Sequence, residues 1–340
     1  MRLLVTGGAG YVGSHTCVAL LAAGHDVVVV DDFSNSDVGV LRTIMDVAGK
    51  RLTWIEADIR NRELIGSVMA RDRYDAVLHF AALKSAPESI ERPEQYWDVN
   101  VGGTAVLLTA ALAARVDRFV FSSSAIIYGA QEAVPIPETT QPAPLNPYAR
   151  TKLAGEQMLR DAVGARPNFR VCILRYFNPV GAHASGRIGE KPRQRATNLF
   201  PIVLSALRNR TTIDIFGTDY ETPDGSAIRD FIHVMDIADG HAAAVEFLAG
   251  DSSAGHADAW TFNLSTGKGC SVLELIAKME KVGGRAVSAR ASTRRSGDIA
   301  ISVGDSSRAA TVLGWRARRT LEDACRDSLR WLDNASAMPL

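Results

Sequence analysis

VTGGAGYVGSH, Val5 to His15, sits between an apolar run that reads as a strand, RLLVTG, and a segment that reads as a helix, GSHTCVALLAAG. Its glycines satisfy G-x-x-G-x-x-G at Gly7, Gly10 and Gly13, and also G-x-G-x-x-G at Gly8, Gly10 and Gly13. Glycines at a strand-to-helix turn let the backbone turn tightly and approach a pyrophosphate, which then rests on the helix N-terminus. Tyr11 and Val12 lie between the last two glycines and belong to the same candidate cradle. A glycine string alone is weak; a strand before it and a helix after it supply the context that gives it meaning.

Outward from this turn, β-rich runs alternate with helical segments. HDVVVVDD, LTWIEADI, YDAVLHFAA, RFVFSSS and RVCILRYFNPV read as strands, and YWDVNVGGTAVLLTAALAA and YARTKLAGEQMLRDAV as helices. Strands apolar on both faces and separated by helices predict an α/β fold: a Rossmann-type doubly wound parallel sheet with covered faces. After about Val180 the pattern changes. GAHASGRIGEKPRQRATN is polar, glycine-bearing and basic, too long for a simple connection. FIHVMDIADGHAAAVEFLAG then returns to a strand-to-helix unit, WTFNLSTG reads as one more central strand, and SVLELIAKMEKVG and LEDACRDSLRWLDN are amphipathic helices. A chain of 340 residues exceeds what one core usually organises, so two lobes are expected. Residues 1–178 plus about 230–266 form the dinucleotide lobe; about 179–229 plus 267–340 form a smaller α/β substrate lobe.

Composition excludes several classes. Lys plus Arg equals Asp plus Glu, 38 each, so no global field recruits nucleic acid or an anionic membrane. No apolar stretch reaches the roughly 18 residues of a membrane span. The N-terminus is not a signal peptide, because glycines interrupt the apolar run. Cys17, Cys172, Cys270 and Cys325 contain no C-x-x-C pair, which argues against a metal site and suits a reducing, cytoplasmic compartment. His79 and His233 lack metal spacing and are expected to be core or surface residues.

Asp31, in VVDDFSNS, stands about 20 residues beyond the glycines, where a carboxylate binds a ribose 2′-hydroxyl and repels the extra phosphate of NADP. NAD is therefore the expected cofactor, with Asn35 in the same turn. Ligands bind outside the carboxyl ends of strands in such sheets. That places Asp58 and Ile59 after the third strand, and Phe80, Ala81, Ala82 and Lys84 after the fourth, against the dinucleotide.

FSSSAIIYG puts Ser122, Ser123 and Ser124 at the carboxyl end of the fifth strand, and NPYARTK opens the next helix with Tyr148 and Lys152. Strand ends and helix starts face one crevice, so Ser124, Tyr148 and Lys152 are expected to converge there. A phenol of pKa near 10 is a poor base at neutral pH, and nearby positive charge favours phenolate. Lys152 supplies one such charge. Tyr148 then suits proton abstraction from a hydroxyl whose carbon gives up hydride. An i,i+4 pair on a helix surface carries no such meaning by itself.

With these motifs the chain resembles the extended short-chain dehydrogenases/reductases, and among them the UDP-glucose 4-epimerases (UDP-galactose 4-epimerases). The resemblance spans nearly all of the sequence and includes VTGGAGYVGSH, HFAALK, FSSSAIIYG, NPYARTK, LRYFNPVGAH, RDFIHVMDIADGH and FNLSTGKGCSV. It implies that Tyr148 is the base and acid, that Lys152 binds the nicotinamide ribose and tunes the phenol, and that Ser124 is the third member. It adds Ser122, Asn100 and Phe177 to the NAD contacts. For a UDP-sugar substrate it implies Arg229 and Arg295 on the pyrophosphate, Asp298 on the uridine ribose, Asn178, Asn198 and Leu199 along the nucleotide sugar, and Phe216 on the uracil. It further implies a homodimer, with the helix at 96–114 and the one starting at Tyr148 as the candidate interface.

Several positions depart from that pattern. Ile126 stands where threonine is usual, Pro87 and Ala227 where glycine is usual. The loop 187–195 carries Arg187, Lys191, Arg193 and Arg195, either as a solvated basic face or as altered substrate contact. At the far wall of the sugar pocket the family carries a bulky aromatic or a small residue; here it is Ser302, which leaves room for a 2-acetamido group. A 4,6-dehydratase would need Asp-Glu after its serine or threonine, whereas Ala125 and Ile126 follow Ser124. A decarboxylase, or a 4-epimerase of a pentose or uronate nucleotide sugar, remains an alternative. An NAD-sensing binding protein would have no reason to keep Ser124, Tyr148 and Lys152 together.

Overall fold

The structure, a computed structural model, describes residues 1–191, 198–250, 258–295 and 297–337. The chain begins β1 (Arg2–Thr6), α1 (Tyr11–Ala22), β2 (Asp26–Asp31), α2 (Gly39–Ala48), β3 (Thr53–Glu56), α3 (Arg62–Arg71), β4 (Ala76–His79), α4 (Ala86–Glu91), α5 (Pro93–Tyr96), α6 (Gly103–Ala113), β5 (Arg118–Ser124), α7 (Pro147–Gly164) and β6 (Arg170–Tyr176). These six strands and Asp258–Leu264 form one seven-stranded parallel sheet, ordered β3-β2-β1-β4-β5-β6 and then Asp258–Leu264.

Alternate residues of a strand point to opposite faces, and here both faces are apolar. Leu3, Val5, Val27, Val29 and Leu78 pack on Cys17, Leu20 and Leu21 of α1 and on Ile237, Val245 and Leu248 of the helix Val234–Ala249. Leu4, Val28, Val30 and Val77 pack on Ile65, Val68 and Met69 of α3, Leu107 of α6 and Leu159 of α7. That two-sided burial forces the connections to be helical and cover both faces.

The predicted strand RVCILRYFNPV divides in two. β6 stays in the large sheet, while Asn178–Val180 pairs with Phe231–His233 in a separate ribbon. At the break the Phe177 amide donates to Leu264 O at 3.3 Å. WTFNLSTG does rejoin the sheet, but at its edge rather than its centre. The first residue of the strand Asp258–Leu264 is exposed, while Thr261 to Leu264 are buried.

The remaining elements form a second core. Phe200, Val203 and Leu207 of the helix Leu199–Asn209, Leu275 and Met279 of the helix Val272–Gly283, and Cys325 of the helix Leu321–Ala337 enclose Ile213 and Ile215. Ile213–Phe216 pairs in parallel with Ala289–Ser292. Ile228–Arg229 lies between Cys270–Ser271 and Ile301–Ser302.

Candidate active site

The strand order reverses between β1 and β4, and crevices form at such a switch. Gly7, with φ +71°, leaves β1 so close to β4 that a Cβ on it would lie 2.5 Å from the Ala81 amide nitrogen. A Cβ on Gly13 would lie 2.2 Å from Gly7 O. Gly10 precedes α1 with extended backbone and no side chain caps the helix, so its first amides stay open toward the crevice. Val12 packs against the core, and the Tyr11 hydroxyl donates to Gly181 O at 2.6 Å.

Asp31 is buried at the end of β2. Its carboxylate accepts from the amides of Ala9 (2.9 Å) and Phe33 (3.0 Å) and from the Ser36 hydroxyl (2.8 Å), which couples it to the glycine turn. Burial raises its pKa, against the lowering by these three donors. Asn35 is exposed in the same turn. Asp58 accepts from the Arg60 amide (2.8 Å) and guanidinium, which keeps its carboxyl below the usual range. Ile59 is buried against Gly103, where a Cβ would come within 2.4 Å of it.

At the end of β4, the Phe80 amide donates to Thr6 O at 2.9 Å and its ring lies 4.6 Å from that of His241. Ala81 and Ala82 follow, partly buried. Lys84 reaches Glu190 at 3.0 Å and lies 5.8 Å over the Tyr11 ring. Asn100 is buried in a π-helical turn, Trp97–Gly102, that links α5 to α6; such turns recur at functional sites. Its amide donates to Leu83 O and Thr151 Oγ1, and its oxygen accepts from the Leu83 amide. Phe177 is buried, stacked on Tyr128 and pressed against Gly304. Together the close glycines, the uncapped helix start and the carboxylate at β2 fit a dinucleotide.

The three catalytic candidates meet at the carboxyl end of β5 and the first turns of α7. Asn146 caps α7 by accepting the Ala149 amide at 2.9 Å, and Pro147 follows at its start. The Ser124 hydroxyl accepts from the Ile126 amide at 3.3 Å and lies near the Tyr148 phenol. Lys152 is buried and donates to Ser122 O at 2.8 Å, with its ammonium 5.2 Å over the Phe121 ring.

Burial pushes the Tyr148 phenol up to about 12, and the neighbouring Ser124 hydroxyl works against that rise. Burial likewise brings the Lys152 ammonium down to about 8, opposed by the Glu156 carboxylate. In the protein alone, the tuning of the phenol that the Tyr-x-x-x-Lys spacing suggests is therefore outweighed by desolvation.

Glu156 lies one turn beyond Lys152 and escaped sequence reasoning. It accepts from Ser123 Oγ at 2.6 Å and from Arg175 at 2.9 and 2.5 Å; all three residues are buried. Arg175 also donates to the Tyr128 hydroxyl, which donates to Asn263. The i,i+4 step from Lys152 to Glu156 was the available signal.

Of the nucleotide-sugar candidates, Asn178 lies in the ribbon, where its amide donates to Asp230 O at 3.0 Å. Arg229 donates to the carbonyls of Ile228 (2.9 Å) and Ala300 (3.3 Å), and Ser302 stands beside it in register. Arg295 lies 3.8 Å over the Phe216 ring, so these two candidates form one unit. Asp298 is exposed, its amide donating to Arg295 O. Asn198 is exposed ahead of the helix that Leu199 begins.

The departures have local reasons. Pro87 occupies the first turn of α4, where a missing N–H costs nothing. Ile126 packs beside Ile127 and Phe177, and Ala227 is buried with its carbonyl holding the Val272 amide. Arg187 pairs with Asp46 at 2.8 Å and Lys191 is exposed; Arg193 and Arg195 lie outside the described residues. His79 is a satisfied core residue between Thr6 and Thr104, while His233 leaves Nε2 without a hydrogen bond. No group of three metal-ligating side chains occurs among the described residues.

Residues 3–257 match the model of the NAD dependent epimerase/dehydratase family. The UDP-glucose 4-epimerase of Bacillus subtilis (strain 168) is 47% identical over 332 residues, 97% of this chain and 96% of that relative. The chain belongs to this family. Within it, the chain groups with the UDP-glucose 4-epimerases of the extended short-chain dehydrogenase/reductase superfamily. The epimerase from Stenotrophomonas maltophila, solved with NAD and formylated UDP-arabinopyranose, is 46% identical with TM-score 0.95 and 99% of both chains covered. That from Bifidobacterium longum, solved with NAD+ and UDP, is 40% identical with TM-score 0.94, again with 99% of each chain covered.

Proposed function

We propose that this protein is an NAD-dependent isomerase, a 4-epimerase that interconverts UDP-glucose and UDP-galactose. The observation that carries the reading is the convergence of Ser124, Tyr148 and Lys152 at the carboxyl end of β5 and the first turns of α7, in a chain of this family. NAD, when bound, supplies the two-electron acceptor and donor that lets C4 of the hexose pass through a 4-keto sugar. Tyr148 takes the proton from the C4 hydroxyl and returns it, Ser124 holds the same oxygen, and Lys152 contributes the positive charge that favours phenolate. Asp31 selects NAD over NADP. Gly7, Gly10, Tyr11, Val12, Gly13, Asn35, Asp58, Ile59, Phe80, Ala81, Ala82, Lys84, Asn100, Ser122 and Phe177 complete the dinucleotide site.

Arg229 and Arg295 hold the substrate diphosphate; guanidinium forks suit paired phosphate oxygens. Asn178, Asn198, Leu199, Phe216 and Asp298 line the nucleotide sugar. The 4-keto sugar then turns about its diphosphate link and is reduced on the other face. No net redox change occurs, so the cofactor has no need to leave. The reading includes the lobe division at 1–178 plus about 230–266, a homodimer built on the 96–114 and Tyr148 helices, and a cytoplasmic enzyme of galactose metabolism. No described helix is long and apolar enough to cross a membrane.

Ser302 supports a wider substrate range, because a small wall accommodates a 2-acetamido group; UDP-N-acetylglucosamine and UDP-N-acetylgalactosamine are then substrates too. A second reading, a 4-epimerase of a pentose nucleotide sugar, draws support from the UDP-arabinopyranose derivative bound by the Stenotrophomonas relative. Purified protein without added NAD, incubated separately with UDP-galactose, UDP-N-acetylgalactosamine and a UDP-pentose, is followed by proton NMR for C4 inversion. Conversion of the first two is expected. Conversion of the pentose alone would transfer the function to the second reading, and failure of all three even with NAD added would refute both.

A further inference from the structure

Tyr220 is 6% exposed, and its hydroxyl is buried without a hydrogen-bond partner. Buried hydroxyls normally find partners, because desolvating one without replacing its hydrogen bond is costly. This one cannot turn away. The ring lies against Gly217, where a Cβ would come within 2.4 Å of it. The Arg294 guanidinium lies over the ring, 4.3 Å from the centroid, and is itself held by Asp219 Oδ1 at 2.8 Å and Asp219 O at 2.6 Å. The backbone is tied down as well, with the Tyr220 amide donating to Gly225 O at 2.9 Å.

Burial raises the phenol's pKa; of the charged groups around it, the Asp298 and Asp219 carboxylates add to the rise and the guanidiniums of Arg229 and Arg294 oppose it. Arg229 is likewise short of partners. It gives hydrogen bonds to two backbone carbonyls and makes no ion pair among the described residues, and burial lowers its pKa. A half-buried guanidinium that forms no ion pair among the described residues, with only the Asp298 carboxylate acting on it from a distance, and a buried hydroxyl without an acceptor thus lie near one another. An anion with several oxygens satisfies both.

We infer that the Tyr220 hydroxyl is a substrate-binding donor, completing with Arg229 a site for the diphosphate of the nucleotide sugar. The inference rests on the nucleotide-sugar reading above. Tyr220 was not singled out by the sequence, because nothing local to DYETPDG distinguishes an interior tyrosine from a ligand-facing one. Its unpaired state in the free protein is the trade that a preorganised donor makes: stability is given up in advance and recovered on binding.

The test is Tyr220→Phe, which keeps the ring and its contact with Arg294. UDP binding is measured by calorimetry, and thermal unfolding is measured with and without UDP. The variant is expected to bind UDP about 10-fold more weakly or worse. Its KM for the UDP-sugar should rise similarly, with kcat little changed. Its Tm without UDP should rise by about 1–3 °C, because an unsatisfied polar atom has gone. A merely structural hydroxyl predicts the opposite Tm shift and unchanged UDP affinity, and either result overturns the inference. Wild-type protein that fails to bind UDP at all would refute the nucleotide-sugar reading, and this inference with it; wild-type binding matched by the variant refutes the inference alone.

Discussion

The Lys152 ammonium lies 2.8 Å from the carbonyl oxygen of Ser122, so the lysine of α7 is fastened to the strand end that carries Ser124. One hydrogen bond therefore links the element bearing the phenol to the element bearing its hydroxyl partner. Removing either partner acts on chemistry more than on fold. Tyr148→Phe is expected to lower kcat by about 10³-fold, and Lys152→Met by about 10²-fold or more, with far-UV circular dichroism unchanged. A Tyr148→Phe enzyme retaining a tenth of wild-type kcat would remove the phenol from its assigned role.

The depressed Lys152 pKa also has a stability signature. The folded value of about 8 lies below the ordinary 10.5, so between these two pH values the unfolded chain binds the extra proton. Stability from this group accordingly rises as pH increases from about 8 to 10.5. Chemical denaturation across that window should show the wild type gaining on Lys152→Met. Parallel pH profiles would mean that the ammonium is not desolvated.

Asp31 has three donors in the free protein yet remains the carboxylate at the end of β2. Asp31→Ser should weaken NAD binding by about 10-fold and narrow the gap between NAD and NADP, since the like-charge repulsion of a 2′-phosphate is lost. Fluorescence titration of both dinucleotides reads this directly. An unaltered preference for NAD would assign selectivity elsewhere.

Two glycines make a paired stability test. A Cβ at Gly13 would sit 2.2 Å from Gly7 O, whereas one at Gly66, inside α3, meets nothing within 4 Å. Gly13→Ala should cost about 1–3 kcal/mol and release bound NAD, while Gly66→Ala should stabilise by about 0.5–1 kcal/mol through helix propensity. Thermal melts and the NAD content of the purified variants decide it.

Ser302 stands beside Arg229 in the strand register. Ser302→Tyr should abolish turnover of UDP-N-acetylgalactosamine while UDP-galactose conversion stays within about threefold, since a clash costs far more than a lost contact. Equal loss on both substrates would separate Ser302 from sugar selection.

The glycine turn, the acid at the end of β2, the serine strand and the Tyr-x-x-x-Lys helix start could all be read from residues close together in the chain. Each depends on local rules: steric freedom at Gly7 and Gly13, continuous apolar runs along β1 and β2, and a cap at Asn146. Other features depend on residues far apart in sequence that meet only in the folded protein. The break after Tyr176 arises because Asn178–Val180 finds Phe231–His233 as its partner. Arg295 stacks on Phe216, and Glu156 pairs with Arg175, across segments that no local pattern relates. Above all, the direction of the pKa shifts at Tyr148 and Lys152 was beyond local reading. Spacing shows that two side chains can meet, whereas desolvation depends on everything packed around them. At this site the surroundings raise the phenol and lower the ammonium.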